Sequence, residues 1–296
     1  MSLNKVLLVG ANGNLGTVLL EGLVASKSFD ISVAKRASST STPAYASSTT
    51  AVTIPDDMSV EGLVPALKGQ DVVIASFPLK DVSQHLRLAE ASAKAGVKRF
   101  IPADFGSCDA QSEEAKKLLK LYRDKDLVRE KCVELAAENP GFSWTSLVCG
   151  HFFDFGIRDG LLHFNLDTNE AVILDKGDVP ASAATLRRVG EALVAVLKRP
   201  ETTKNRLLYK KATGATWTRE FVDSKAFLER EVNKLSVNFS KHAMEEIVFV
   251  LGTLDADWTK RGEAFAMEEL GLEDEDLDKV VQEVVDQWKK EKAEQK

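Results

Sequence analysis

The stretch that most constrains this chain is Asn4-Lys-Val-Leu-Leu-Val-Gly-Ala-Asn-Gly-Asn-Leu-Gly16. Val6, Leu7, Leu8 and Val9 form the short apolar run of a strand covered on both faces. Gly10, Gly13 and Gly16 follow with G-x-x-G-x-x-G spacing, and Leu15, Val18, Leu19 and Leu23 then fall at helical intervals. Strand, glycine turn and helix come in the order of a diphosphate cradle. Gly10 permits the tight turn, Gly13 the close approach of a pyrophosphate, and Gly16 close packing of helix on strand. Asn12, Asn14 and Leu15 complete the loop, where free amides at the positive end of a helix attract an anion. The spacing differs by one residue from the G-x-G-x-x-G fingerprint, and an ordinary strand-turn-helix gives the same pattern. The rest of the chain has to decide.

Three classes of function are disfavoured by composition. A net charge of -6 argues against nucleic acid as the main partner. Three scattered cysteines, Cys108, Cys132 and Cys149, make no disulfide framework, and the four histidines show no metal-ligand spacing, so no metal is expected. No apolar run approaches the ~20 residues of a membrane span. The first strand begins at once after Met1, which leaves the expectation of no leader and a cytoplasmic protein.

Further along, short apolar strands alternate with helical stretches. Strands are expected at 31–34, 51–54, 72–74, 98–102 and 144–149, and helices at 55–67, 84–95 and 112–139. This rhythm predicts an α/β, Rossmann-type doubly wound parallel sheet. The second strand ends in Lys35 and Arg36, where such a fold meets the adenosine ribose. Arginine there accepts a 2′-phosphate that a carboxylate would repel, so the pair favours NADP(H) over NAD. A solvated basic pair at a strand end would look the same. Ser38, Ser39 and Thr40 add hydroxyl donors. Ser76, Phe77 and Pro78 end one central strand and Ala103, Asp104 and Phe105 follow another, the edge where parallel sheets place ligands. After 157 the rhythm breaks. The expectation is a dinucleotide domain over 1–156, rejoined at about 178–210, and a smaller, mainly helical substrate lobe from 157–177 and 211–296. Helices are expected from Asp178, over 218–233 and 241–251, and over 274–292, whose stripe of Leu277, Val280, Val281, Val284, Val285 and Trp288 would serve the lobe or a dimer.

The helix at 112–139 is where short-chain dehydrogenases carry a tyrosine four residues before a lysine. Here Leu121 stands four before Lys125 and Tyr122 three before it, so the usual proton donor is missing. Leu118, Tyr122, Lys125, Arg129 and Cys132 fall on one face. On pattern alone, Lys125 and Arg129 either sit half-buried beside a cofactor or snorkel to solvent.

Taken together, Gly10 to Gly16, Arg36, the run Ala95-Gly-Val-Lys-Arg-Phe-Ile-Pro-Ala-Asp-Phe-Gly106 and Lys125-Asp-Leu-Val-Arg129 resemble the NmrA-like, isoflavone-reductase-like proteins, which are atypical short-chain dehydrogenases. The run to Gly106 resembles the family's A-G-V-K-R-F-x-P-S-E-F-G, with Ala103 and Asp104 in place of serine and glutamate. The resemblance implies an NADPH-binding domain and a small substrate lobe. It places the family's proton-transfer lysine on Lys125, its cofactor-contacting arginine on Arg129 and its 2′-phosphate arginine on Arg36.

His151, Phe152, Phe153 and Phe155 follow the last strand and are expected to line a substrate pocket, although packing explains them equally well. The expectation is a reductase of a small aromatic or polyketide-like metabolite, acting as a monomer or homodimer. The alternative is a non-catalytic NmrA-like sensor that binds NADP and a protein partner. A relative that uses NADP for isomerisation is a third reading.

Overall fold

A computed structural model of the chain describes residues 2–42, 45–209, 219–260, 262 and 265–294. In chain order the elements are β1 (Lys5–Val9), α1 (Asn14–Ser26), β2 (Asp30–Arg36), β3 (Thr50–Ile54), α2 (Val60–Leu67), β4 (Val72–Ala75), α3 (Val82–Lys94), β5 (Arg99–Ile101), α4 (Glu113–Leu118), α5 (Lys120–Glu138) and β6 (Thr145–Val148). They continue with β7 (His151–Phe152), α6 (Phe153–Arg158), β8 (Phe164–Asn165), β9 (Glu170–Leu174), β10 (Ala183–Ala184), α7 (Leu186–Lys198), β11 (Arg206–Tyr209), β12 (Arg219–Val222), α8 (Ser224–Val237), α9 (Lys241–Leu254) and α10 (Leu277–Glu294). The chain divides into two compact units: 1–105 with 120–147 and 187–208, and 106–119 with 148–186 and 209–296.

In the first unit a five-stranded parallel sheet has the order β3-β2-β1-β4-β5. This is the doubly wound order, with ligands expected where the direction of winding reverses. Val6, Leu7 and Leu8 of β1 and all four residues of β4 are buried, as a strand covered on both faces requires. Phe100 bridges Trp144 in parallel, which continues the sheet towards β6, and β6 pairs with β11. The guanidinium of Arg99 fastens this edge. It is fully buried and donates to Ser143 Oγ at 2.8 Å, Thr145 Oγ1 at 2.7 Å and Thr203 Oγ1 at 3.0 Å. Segment 187–208 returns to this unit, and Gly190 of α7 lets α1 approach closely at Gly22, where a Cβ would stand 3.2 Å from the Gly190 carbonyl carbon.

The second unit has its own core of Ile157, Leu162, Leu166, Leu174, Phe227, Phe249, Val250 and Val284. Val281, Val285 and Trp288 pack against this cluster, and Leu277 and Val280 are buried. The apolar stripe of α10 is therefore covered within its own unit.

Several expectations are corrected. The helix expected over 112–139 breaks at Leu119, which is extended (φ -127°, ψ 128°) and buried. Leu118 and Tyr122 thus lie on different helices. The first part of the 218–233 helix is instead β12, drawn into parallel pairing with β9. The helix expected from Asp178 starts only at Leu186, after β10 has paired with β7. Residues 106–119 and 148–156 group with the second unit, whereas the sequence pattern joined them to the first.

Candidate cofactor and active site

At the end of β1 the chain turns at Gly10, whose φ of +97° is a region that L side chains rarely adopt. A Cβ there would lie 2.8 Å from the Phe77 amide nitrogen, and one on Gly16 only 2.0 Å from the Gly10 carbonyl oxygen. Gly13 differs. A Cβ there would meet nothing nearer than 3.7 Å, so this side of the loop is open. Gly13 is also the N-cap of α1 and offers no side-chain cap, which leaves the helix start at Asn14, Leu15 and Gly16 suited to an external anion. The cradle fits a diphosphate.

The loop continues into a cavity of about 240 Å³ lined by Gly10, Asn12, Lys35, Arg36, Ser39, Ser41, Met58 and Phe77, among others. It thus joins the glycine turn to the basic end of β2. Arg36 Nη2 donates to Gln84 Oε1 at 3.1 Å, and Asn12 Nδ2 to Ser41 Oγ at 2.9 Å. Ser38 donates its amide and hydroxyl to Asp56. These bonds, more than the Arg36 charge, hold the Asp56 carboxyl below its ordinary range.

Along the sheet edge, Ser76 Oγ donates to the Val9 carbonyl at 2.9 Å, joining the ends of β4 and β1. Phe77 stacks on His85, with ring centroids 3.9 Å apart. His85 had no signal in the sequence beyond a polar position on an apolar helix face. It is fully buried, with Nε2 3.5 Å from the Pro78 carbonyl, and burial pushes its pKa down to about 4. It is therefore neutral at physiological pH.

The segment after β5 meets α5 at Asp104. Lys125 Nζ donates to the Asp104 backbone carbonyl and lies 3.9 Å from Oδ1 of the same residue. Oδ2 accepts from Arg129 Nη2 and from Ser146 Oγ. The Lys125 side chain is only 11% exposed, so Lys125 and Arg129 face inward and do not snorkel. Asp104 links both cations, and Ser146 is a member of the cluster that the sequence did not reveal. Ala103 packs on the core of this unit, and Phe105 is buried. Asp104→Asn keeps the shape but removes the charge that Arg129 and Lys125 face. It is expected to cost about 1–3 kcal/mol in urea unfolding, a loss a surface carboxylate would not show.

His151, Phe152, Phe153 and Phe155 are half-buried and lie in the second unit. His151 Nε2 is 3.3 Å from the Phe249 carbonyl, which can only accept, so Nε2 carries the proton. Burial again lowers the pKa, to about 4. Gly252 makes room for the ring, since a Cβ there would stand 2.4 Å from His151 Nε2. Phe153 packs on the core of the unit, and Phe155 lies beneath the Arg158 guanidinium. Among the described residues no group of three or more His, Cys, Asp or Glu could hold a metal, and no helix is long and apolar enough to cross a membrane.

A family model described as the NmrA-like family matches residues 2–270. The chain belongs to the NmrA-like family. Among curated members, oxidoreductase aprR of Aspergillus flavus is 35% identical over 235 residues, covering 74% of this chain and 77% of that protein. The solved structure of the leucoanthocyanidin reductase–NADPH binary complex from Vitis vinifera superposes with a TM-score of 0.65 at 17% identity, covering 90% and 98% of the two chains. A crystal structure of isoflavone reductase gives 0.64 at 20% identity, covering 86% and 88%. Both structural likenesses are likenesses of fold, and they agree with the parallel sheet.

Proposed function

We propose that this NmrA-like chain is an NADPH-dependent reductase of a small aromatic or polyketide-like metabolite, with Lys125 as its proton donor. The observation that carries the reading is the inward-held Lys125 amine, anchored on Asp104 at the end of the strand next to β4. The open cradle at Gly13 and the basic cavity at Arg36 support a phosphorylated dinucleotide. The names of the relatives support the same class: aprR is called an oxidoreductase, and the leucoanthocyanidin reductase was solved with NADPH.

When bound, the cofactor supplies a hydride to the substrate carbon. Gly10, Gly13 and Gly16 shape the loop for its diphosphate, with the amides of Asn14 and Leu15 at the helix start. Lys35 and Arg36 hold the 2′-phosphate, and Arg129 helps seat the nicotinamide half. Ser76, Phe77, Pro78, Ala103 and Phe105 form the edge it lies along. An ammonium has three donors. The Asp104 carbonyl fixes the amine, and the ammonium releases a proton to the substrate oxygen or carbon that gains electrons. In the reverse direction the neutral amine takes that proton back. His151 and the phenylalanines at 152, 153 and 155, all in the second unit, are the residues we assign to substrate contact.

The test is oxidation of NADPH over a panel of aromatic enones, ketones and quinones. Turnover on a member supports the reading, and tight NADP binding with no turnover on any, plus a co-purifying protein, supports the sensor. In the same assay format, Arg36→Ala is expected to weaken NADPH binding by about 10- to 100-fold, the loss of charge-assisted hydrogen bonds to a phosphate. NADH binding should hardly change. Equal weakening of both would remove Arg36 from phosphate selection.

A further inference from the structure

The arginine of the cofactor cavity is held from outside the glycine loop and the second strand. Arg36 Nη2 donates to Gln84, which lies 48 residues away on α3. Gln84 is the third residue of that helix, and its place is fixed. Asp81 caps the helix through the Ser83 amide, and the Gln84 amide donates to the Asp81 carbonyl at 3.2 Å. One turn on, Arg87 donates to the Met58 carbonyl at 2.9 Å, to the Asp57 carbonyl at 3.2 Å and to Ser83 Oγ at 2.9 Å. Met58 is buried, with a φ of +51°, and its sulfur lies 3.7 Å from Arg36 Nη2. The first turns of α3 therefore grip both the arginine and the turn beneath it.

The chemistry of the acceptor matters. Guanidinium only donates, so the atom facing it is the amide oxygen of Gln84. A carboxylate at this place would orient Arg36 equally well but would compete with a phosphate for its charge. A neutral carbonyl orients without competing. No hydrogen bond from Nε or Nη1 of Arg36 is made among the described residues, so donors remain for an incoming anion.

We propose that Gln84 is a positioning residue for cofactor selection: it holds the Arg36 guanidinium at the cavity through a neutral oxygen, ready for a 2′-phosphate. The inference rests on the assignment of Arg36 to that phosphate. A preorganised arginine loses less side-chain freedom on binding, and the gain falls on the phosphorylated cofactor alone.

The experiment needs no substrate. Dissociation constants for NADPH and NADH are measured on the full chain by titration calorimetry for the wild type, Arg36→Ala, Gln84→Ala and Gln84→Glu. A thermal melt of each variant confirms folding. Arg36→Ala is expected to remove the preference for NADPH. Gln84→Ala is expected to weaken NADPH about 3- to 10-fold, the worth of about one hydrogen bond, with NADH changed less than twofold. Gln84→Glu restores an acceptor but adds a competing charge, so it is expected to weaken NADPH at least as much and again to spare NADH. A Gln84→Ala protein that keeps the wild-type ratio, while Arg36→Ala loses it, overturns the role of Gln84 and leaves Arg36 in place. Equal weakening of both cofactors by the Gln84 variants makes the residue merely structural and overturns it too. If Arg36→Ala itself keeps the ratio, the Arg36 assignment fails first and takes this inference with it.

Discussion

Lys125→Ala is expected to lower turnover by about 10²- to 10⁴-fold, the usual contribution of a positioned general acid. NADPH affinity should change only a few-fold. The split follows from the geometry. The amine of Lys125 is anchored on the carbonyl of Asp104, whereas the glycine loop and Arg36 form a separate cavity in the same unit. Removing the amine leaves that cavity intact and also leaves the carboxylate of Asp104 with Arg129 and Ser146. Lys125→Arg sharpens the test. It keeps a positive charge but cannot release a proton near neutrality, so it should be almost as inactive as alanine. The measurement is loss of NADPH absorbance with whichever panel compound the wild type reduces, beside fluorescence titration of NADPH. Activity within tenfold of wild type in either variant would take the proton-transfer role away from Lys125.

The second large effect lies in the glycine loop, where two alanine substitutions are expected to behave differently. Gly16→Ala puts a methyl group 2.0 Å from the carbonyl oxygen of Gly10, and both partners are held by backbone. Overpacking against backbone is expected to cost about 3 kcal/mol, the upper end of the usual range. That corresponds to a fall in Tm of roughly 6–12 °C for a domain of this size. Cofactor binding should be lost as well, because the loop must move. Gly13→Ala meets nothing nearer than 3.7 Å within the protein, so its Tm should stay within about 2 °C of wild type, the usual surface-substitution range. Its methyl group occupies the face assigned to the diphosphate, and NADPH affinity should fall at least tenfold. Thermal melts with and without NADPH separate the two. A Gly13→Ala protein that binds NADPH normally would move the diphosphate away from this face.

The contrast between these two glycines also shows what a sequence can disclose. Both belong to one local strand-turn-helix, and their roles follow from spacing because every contact lies within seven residues. The place of Arg36 beside the loop was legible for a similar reason, as the end of the next strand. The inward placement of Lys125 and Arg129 was left open by pattern alone. It became a reading through family resemblance, and the side chains then met at Asp104. His85, Gln84 and Ser146 were not legible. Ser146 reaches Asp104 across 42 residues, Gln84 reaches Arg36 across 48, and burial rather than periodicity neutralises His85. Periodicity also failed at Leu119, where apolar spacing runs on through a residue that is extended and buried. It failed again over 219–222, where parallel pairing with β9 overrides helical spacing. There α8 begins only after Asp223, whose carboxylate caps it at the Ala226 amide.

The two units are threaded in a way that bears on how such a chain can be recombined. The chain passes from one unit to the other after Phe105, Leu119, Leu147, Leu186 and Leu208. No single cut separates them, so the second unit cannot be exchanged with that of a relative by one fusion point. A chimera needs all five joints to be compatible. Three of them fall near residues of the lysine cluster in sequence: Asp104 stands one residue before Phe105 at the first, Lys125 follows the second by one helical turn and a half, and Ser146 stands one residue before Leu147 at the third. Exchanging the second unit with that of a relative therefore disturbs the Lys125–Asp104–Ser146 cluster at its sequence borders, and single substitutions within that unit offer the gentler route.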